Sequence, residues 1–174
     1  MKLKSLICGV TIALASFTAL ADDDALSVLA LKNAKFTVEQ AIEKVSQEYK
    51  GSIVEFEVDD HRGQASYEFE IVNLQSEQKY KLQVSNEDGS ILKEKTTNLK
   101  SDEKEAVNTL TAAKFDLKST LTLVRQKYNA EVVEFELKNK KGITFYKFKL
   151  YDENGRKRII VDVETGEMVP VMKK

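Results

Sequence analysis

Thiols are all but missing from this chain: the only cysteine, Cys8, lies in an N-terminal apolar stretch. Everything after it can therefore form neither a disulfide nor a thiolate metal site. Histidine is as scarce, with His61 alone in the turn Asp59-Asp60-His61-Arg62-Gly63. Acyl-transfer chemistry needs a nucleophile beside a base, and a lone histidine in a charged turn reads as an exposed surface residue. No glycine-rich phosphate loop occurs, and with 27 basic against 28 acidic side chains no positive footprint for nucleic acid exists. Proline occurs once, as Pro170, where it marks an edge strand.

A long spanning segment is also lacking. Lys2 and Lys4 precede an apolar run from Leu6 to Leu20 that closes on Ala19-Leu20-Ala21, the pattern of a signal peptide cleaved after Ala21. The run falls short of the roughly 18 apolar residues a spanning helix needs, and Asp22 to Asp24 follow where a retained anchor shows basic residues. Cys8 is preceded by Leu6 and Ile7 and the run continues past it, which argues against lipid attachment. The expectation is a periplasmic or secreted product with no membrane attachment after cleavage. Removing residues 1–21 takes away Lys2 and Lys4, leaving 25 basic and 28 acidic groups, a formal charge of −3.

What the chain does contain is an internal repeat. Lys35, Phe36, Val45, Tyr49, Val54, Glu55, Phe56, Glu57, Gly63, Tyr67 and Phe69 recur one ungapped step of 79 residues later as Lys114, Phe115, Val124, Tyr128, Val133, Glu134, Phe135, Glu136, Gly142, Tyr146 and Phe148. The shared residues are apolar or turn-forming, so a packing scheme has been duplicated rather than a set of catalytic groups.

Each copy opens with a short helix, acids at its start and Val28/Leu31 or Val107/Leu110 on its contact face. A longer helix follows, with Val38, Ala41, Ile42, Val45 and Tyr49 forming one stripe, matched by Leu117, Leu121, Val124 and Tyr128. Thr37 with Gln40 reads as a capping box, and Asp116 as the second cap. Strict alternation then predicts strands through Val54, Phe56, Val58 and Val133, Phe135, Leu137. The next pair runs through Tyr67, Phe69, Ile71 and Tyr146, Phe148, Leu150, and a third through Tyr80, Leu82, Val84 and Lys157, Ile159, Val161. Turns at Arg62-Gly63, Lys141-Gly142, Asp88-Gly89, Asn154-Gly155 and Thr165-Gly166 make these consecutive antiparallel hairpins, with short fourth strands at Ile91 to Lys93 and Met168 to Val171. The expected fold class is α+β: two tandem repeats, each a short and a longer helix packed on one face of a three- to four-stranded antiparallel sheet. The boundaries are 1–21 for the signal peptide, 22–95 and 101–174 for the repeats, and 96–100 for a short polar linker.

No metal or cofactor is expected. Asp59, Asp60 and His61, or Asp152, Glu153 and Asn154, offer too few convergent ligands in turns that hairpin chemistry already explains. Glu55 with Glu57 and Glu134 with Glu136 are paired carboxylates, but without a pocket to raise a pKa they read as a solvated face.

The strand residues of opposite parity form the uncovered face, and it differs between the copies. The first carries Glu55, Glu57, Glu68, Glu70, Lys79 and Lys81; the second carries Glu134, Glu136, Lys147, Lys149, Arg156 and Arg158, inverting the charge from −2 to +2. Cross-strand pairing accounts for such residues, and so does complementarity between the faces or toward a bipolar partner. Gln64, Ser66 and Gln83 in the first copy are replaced by Ile143, Phe145 and Ile160 in the second, with Tyr151 where the first has Val72. Apolar residues ringed by Lys and Arg compose a protein-binding patch or a contact between the two copies. Phe145, Tyr151 and Ile160 are the candidate anchors and Lys147, Lys149, Arg156 and Arg158 the orienting charges; the strand Val169 to Met172 offers an edge to an extended peptide.

The order of parts, with Val54-Glu55-Phe56-Glu57, Val133-Glu134-Phe135-Glu136, the strand-opening Tyr67 and Tyr146, and the closing Val161-Asp162-Val163-Glu164-Thr165-Gly166-Glu167, resembles the PepSY domain family. The second copy matches the closing motif better, since the first has Ser85, Asp88 and Gly89 there. The resemblance implies an exported, non-enzymatic binding module that inhibits or regulates a partner protein such as a peptidase. Its alternative is a propeptide-like folding assistant or envelope stress chaperone for unfolded exported chains.

Overall fold

The computed structural model describes residues 23–171; the expected signal peptide and the expected cleavage after Ala21 lie outside them. Helices α1 (Asp23–Asn33) and α2 (Val38–Glu48) precede strands β1 (Ser52–His61), β2 (Gln64–Asn73), β3 (Gln78–Ser85) and β4 (Ile91–Asn98). The same order then repeats as α3 (Ser101–Ala112), α4 (Leu117–Lys127), β5 (Glu131–Lys140), β6 (Ile143–Asp152), β7 (Gly155–Asp162) and β8 (Met168–Pro170).

Local chemistry sets these boundaries. The Thr37 hydroxyl accepts from the Gln40 N–H at 3.3 Å while the Gln40 side chain accepts from the Thr37 N–H at 2.8 Å, closing the capping box of α2. Asp116 caps α4 by accepting from the Ser119 N–H at 2.8 Å. At the hairpin tips Arg62 and Lys141 adopt φ of 55° and 57°, each followed by a glycine with positive φ, as tight two-residue turns require. The closing motif is also a turn device: the Asp162 carboxylate accepts from the Glu164 and Thr165 N–H groups, and Gly166 at φ 72° lies under the Phe115 ring. Gly89 does the same beneath Phe36; a β-carbon there would sit 2.6 Å from the ring.

All eight strands form one antiparallel sheet in the order β4-β3-β2-β1-β5-β6-β7-β8. The two halves join edge to edge where β1 pairs with β5, Glu55 opposite Glu136, Phe56 opposite Phe135 and Glu57 opposite Glu134. Phe56 and Phe135 are repeat equivalents, so a pseudo-twofold axis passes between them, and their rings stack there at 5.5 Å. The 79-residue step holds through β2 and β6 and falls to 77 beyond. Four residues, Leu74 to Glu77, connect β2 to β3, whereas Glu153 and Asn154 suffice between β6 and β7.

The inward parity is the expected one. Phe56, Phe69, Phe135, Phe148, Ile71, Leu82, Leu150 and Val161 are fully buried with Ala41, Val45 and Val124 of the longer helices. Each such ring or branched chain contributes about 1.5–3 kcal/mol by leaving water. The opening helices are not confined to their own half: α1 lies against β1, β5 and β6, and α3 against β2, β5 and β6. Two expectations are corrected here. The segment 96–100 is mostly strand, because β4 runs to Asn98 in a full ladder along β3 and leaves only Leu99 and Lys100 between the halves. Ser66 and Gln83, placed on the open face by parity, are buried; Gln83 donates to the Asp59 carboxylate at 3.2 Å, and Asp59 stands opposite Ser66 in the ladder.

Candidate interaction face

On the open face the seam gathers four glutamates, Glu55, Glu57, Glu134 and Glu136, in two directly opposed pairs. Like charges so placed destabilise a ladder unless cations intervene. Lys149 supplies one, ion-pairing with Glu134 and reaching Glu57 of the first half at 3.9 Å, while Lys147 lies 3.8 Å from Glu134 and 3.9 Å from Glu136. The charge inversion between the copies decides what happens to the other half of the seam. The position of Lys149 is occupied in β2 by Glu70, so Glu55 faces Glu70 and Glu136, with Lys81 attracting it. Burial first, then those two carboxylates, push its pKa up to about 7; burial and Glu134 raise Glu57 as well. The solvated-face expectation is thus corrected for Glu55 and Glu57: the β1–β5 joint creates an environment that β1 does not have alone.

Glu70 is itself held by Lys79, at 2.9 Å, and Lys79 also reaches Glu103 of α3 at 2.6 Å. Burial works against the Lys79 ammonium, but the hydrogen bonds to Glu103 and Glu70 outweigh it and raise its pKa. This bridge fastens the first turn of α3 to the sheet and walls a recess of about 290 Å³ with Glu55, Glu136 and Lys138.

The residues singled out in the second half all fall on this face. Lys147 is opposite Ile160, Lys149 opposite Arg158 and Tyr151 opposite Arg156, with Phe145 on the next rung toward the β5–β6 turn. Phe145, Tyr151 and Ile160 are half-buried, and Ile143 is 54% exposed. Val169 of β8 pairs with Ile160 and is 43% exposed, which extends the apolar strip to the sheet edge. Strand parity could have found Val169, since it shares a face with whatever lies opposite it. Lys149 is also a seam residue. His61 ends β1, and among the described residues no three His, Cys, Asp or Glu side chains converge as a metal site would need.

The family model described as peptidase propeptide and YPEB domain matches residues 35–95 and again 102–169. The chain belongs to the PepSY family. Both matches contain the paired second helix and hairpins described above. A solved structure of the Clostridium difficile 630 protein CD1622 is 22% identical, covers 84% of this chain and 98% of its own, and has a TM-score of 0.49. YpmB from Bacillus subtilis, at 12% identity and TM-score 0.27, covers 78% of this PepSY chain and 97% of its own. The Bacillus megaterium YpeB C-terminal domain, at 17% and 0.28, covers 83% and 69%. No curated protein matches. No helix among the described residues is long and apolar enough to cross a membrane.

Proposed function

We propose that this PepSY protein is a non-enzymatic binding module acting in the periplasm or outside the cell after cleavage behind Ala21. It comprises two repeats that meet at Leu99 and Lys100, and it inhibits or regulates another extracytoplasmic protein, a peptidase first among the candidates. The reading rests on one observation: the open face of β6, β7 and β8 carries an apolar strip of Phe145, Ile160 and Val169 crossed by Lys147, Lys149 and Arg158, while the first half has Ser66 and Gln83 in the places of Phe145 and Ile160. Apolar anchors ringed by cations are the composition of a protein-binding patch. The cations orient an acidic partner surface, and Tyr151 and Arg156 extend the patch toward the β6–β7 turn.

A pull-down from the native envelope tests this with wild type and the double variant Phe145→Ala plus Ile160→Ala. Loss of one folded partner from the variant supports the proposal, and an unchanged partner set removes the patch from it. Capture of many denatured clients, equally by both proteins, points instead to a folding assistant.

A further inference from the structure

On the helical side a cleft of about 670 Å³ runs between α2 and α4. Its long walls obey the pseudo-twofold axis residue by residue: Glu39, Ile42, Glu43 and Ser46 on α2 face Lys118, Leu121, Thr122 and Arg125 on α4, each 79 positions on. Glu39 and Arg125 form an ion pair across it. Its inner end does not obey the axis. Leu110, Asp116, Leu117 and Tyr146 line it from the second half, and their equivalents Leu31, Thr37, Val38 and Tyr67 do not.

The break in symmetry has a chemical counterpart. The Tyr67 hydroxyl donates to the Phe36 carbonyl at 2.8 Å, stitching β2 to the loop before α2. Tyr146, its equivalent, is fully buried, yet among the described residues its hydroxyl has no hydrogen-bond partner. An unsatisfied buried hydroxyl costs about 1–3 kcal/mol and is rare in native proteins unless something else supplies the partner. Asp116, at the same end, is negative and already accepts from the Ser119 N–H, so a second anion beside Tyr146 would be repelled. Ile42, Ile53, Leu110, Leu117 and Leu121 supply the apolar part of a lining whose other members are mostly polar or charged.

We infer that the cleft between α2 and α4 binds an uncharged apolar molecule through a carbonyl-type acceptor that takes the hydrogen bond of Tyr146. The acceptor enters at the Asp116 end and the apolar body lies between Ile42 and Leu121. This site lies opposite the open face and does not depend on the role proposed for that face.

Benzophenone and diphenylmethane test it, since they share a shape and differ in the carbonyl. Titrated into the whole mature protein and followed by amide chemical shifts, benzophenone is expected to bind about fivefold more weakly to Tyr146→Phe than to wild type, the loss of one hydrogen bond of about 1 kcal/mol. Diphenylmethane should bind both alike, and Tyr67→Phe should leave both affinities unchanged. Illumination should place benzophenone crosslinks on Ile42, Leu110, Leu117 or Leu121. Equal benzophenone affinity in wild type and Tyr146→Phe overturns the inference, as do crosslinks confined to the open face. A single ordered water on the Tyr146 hydroxyl, with saturable binding of neither compound, overturns it too.

Discussion

Two tyrosines at equivalent places behave differently, and the contrast can be measured. Tyr67→Phe strands the Phe36 carbonyl and should lower unfolding free energy by about 1–2 kcal/mol, whereas Tyr146→Phe deletes a hydroxyl with no partner among the described residues and should leave stability unchanged or raise it. Urea denaturation of the ligand-free variants checks both. Glu55 gives a pH signature. Its folded pKa stands near 7, above the ordinary 4.5 of the unfolded chain, so the native state holds the extra proton between those values. Stability from this group is therefore present below about pH 4.5 and is lost as pH climbs through 7. Glu55→Gln should remove that loss, so the variant gains on wild type steadily from pH 4.5 to 7.5 in urea midpoints. A constant difference across that range would contradict the assignment of the proton to Glu55.

At the level of elements, the strands, their parity, the caps and the hairpin turns were legible in the sequence because each depends on residues close in the chain. The joint between β1 and β5 was not. Either strand reads as an alternating ribbon with two possible edges, and nothing in the spacing of Val54, Phe56 and Val58 says which edge meets another strand. The acid cluster and the altered Glu55 follow from that joint, so they were hidden with it. Likewise the polar stretch Thr96 to Asn98 reads as a linker, because its strand character comes from lying along Gln78 to Tyr80 rather than from its own pattern. The joint itself is short, three residue pairs with the Phe56–Phe135 stack at the centre. Phe56→Ala should cost about 3–5 kcal/mol, and a double-mutant cycle with Phe135→Ala should return a coupling of about 0.5–1.5 kcal/mol. Strict additivity would mean the rings merely fill space independently.

For the molecule as a whole, the sheet carries acids concentrated in one half and cations in the other, with Lys149 bridging to Glu57 where they meet. The acidic partner proposed above would be steered by that field, and steering is screened over about 10 Å at 0.1 M salt. Arg158→Glu should therefore slow association with the captured partner several-fold at low salt, leave the dissociation rate much less affected, and lose its effect near 0.5 M salt; stopped-flow or surface-binding kinetics would show this. The patch residues were readable from the sequence because parity alone assigns a face. The α2–α4 cleft escaped, because it needs both halves in place.

The axis between Phe56 and Phe135 also bears on how such a chain can change. In an assembly of two identical subunits every substitution at a twofold contact is made twice, so a lysine that relieves one carboxylate appears on both sides and a glutamate that crowds one crowds its mirror image. Joining the subunits into a single polypeptide lifts that constraint. Position 149 could become cationic while position 70 remained acidic, giving one contact with a relieved side and a proton-holding side, an asymmetry that no pair of identical chains obeying the axis could encode.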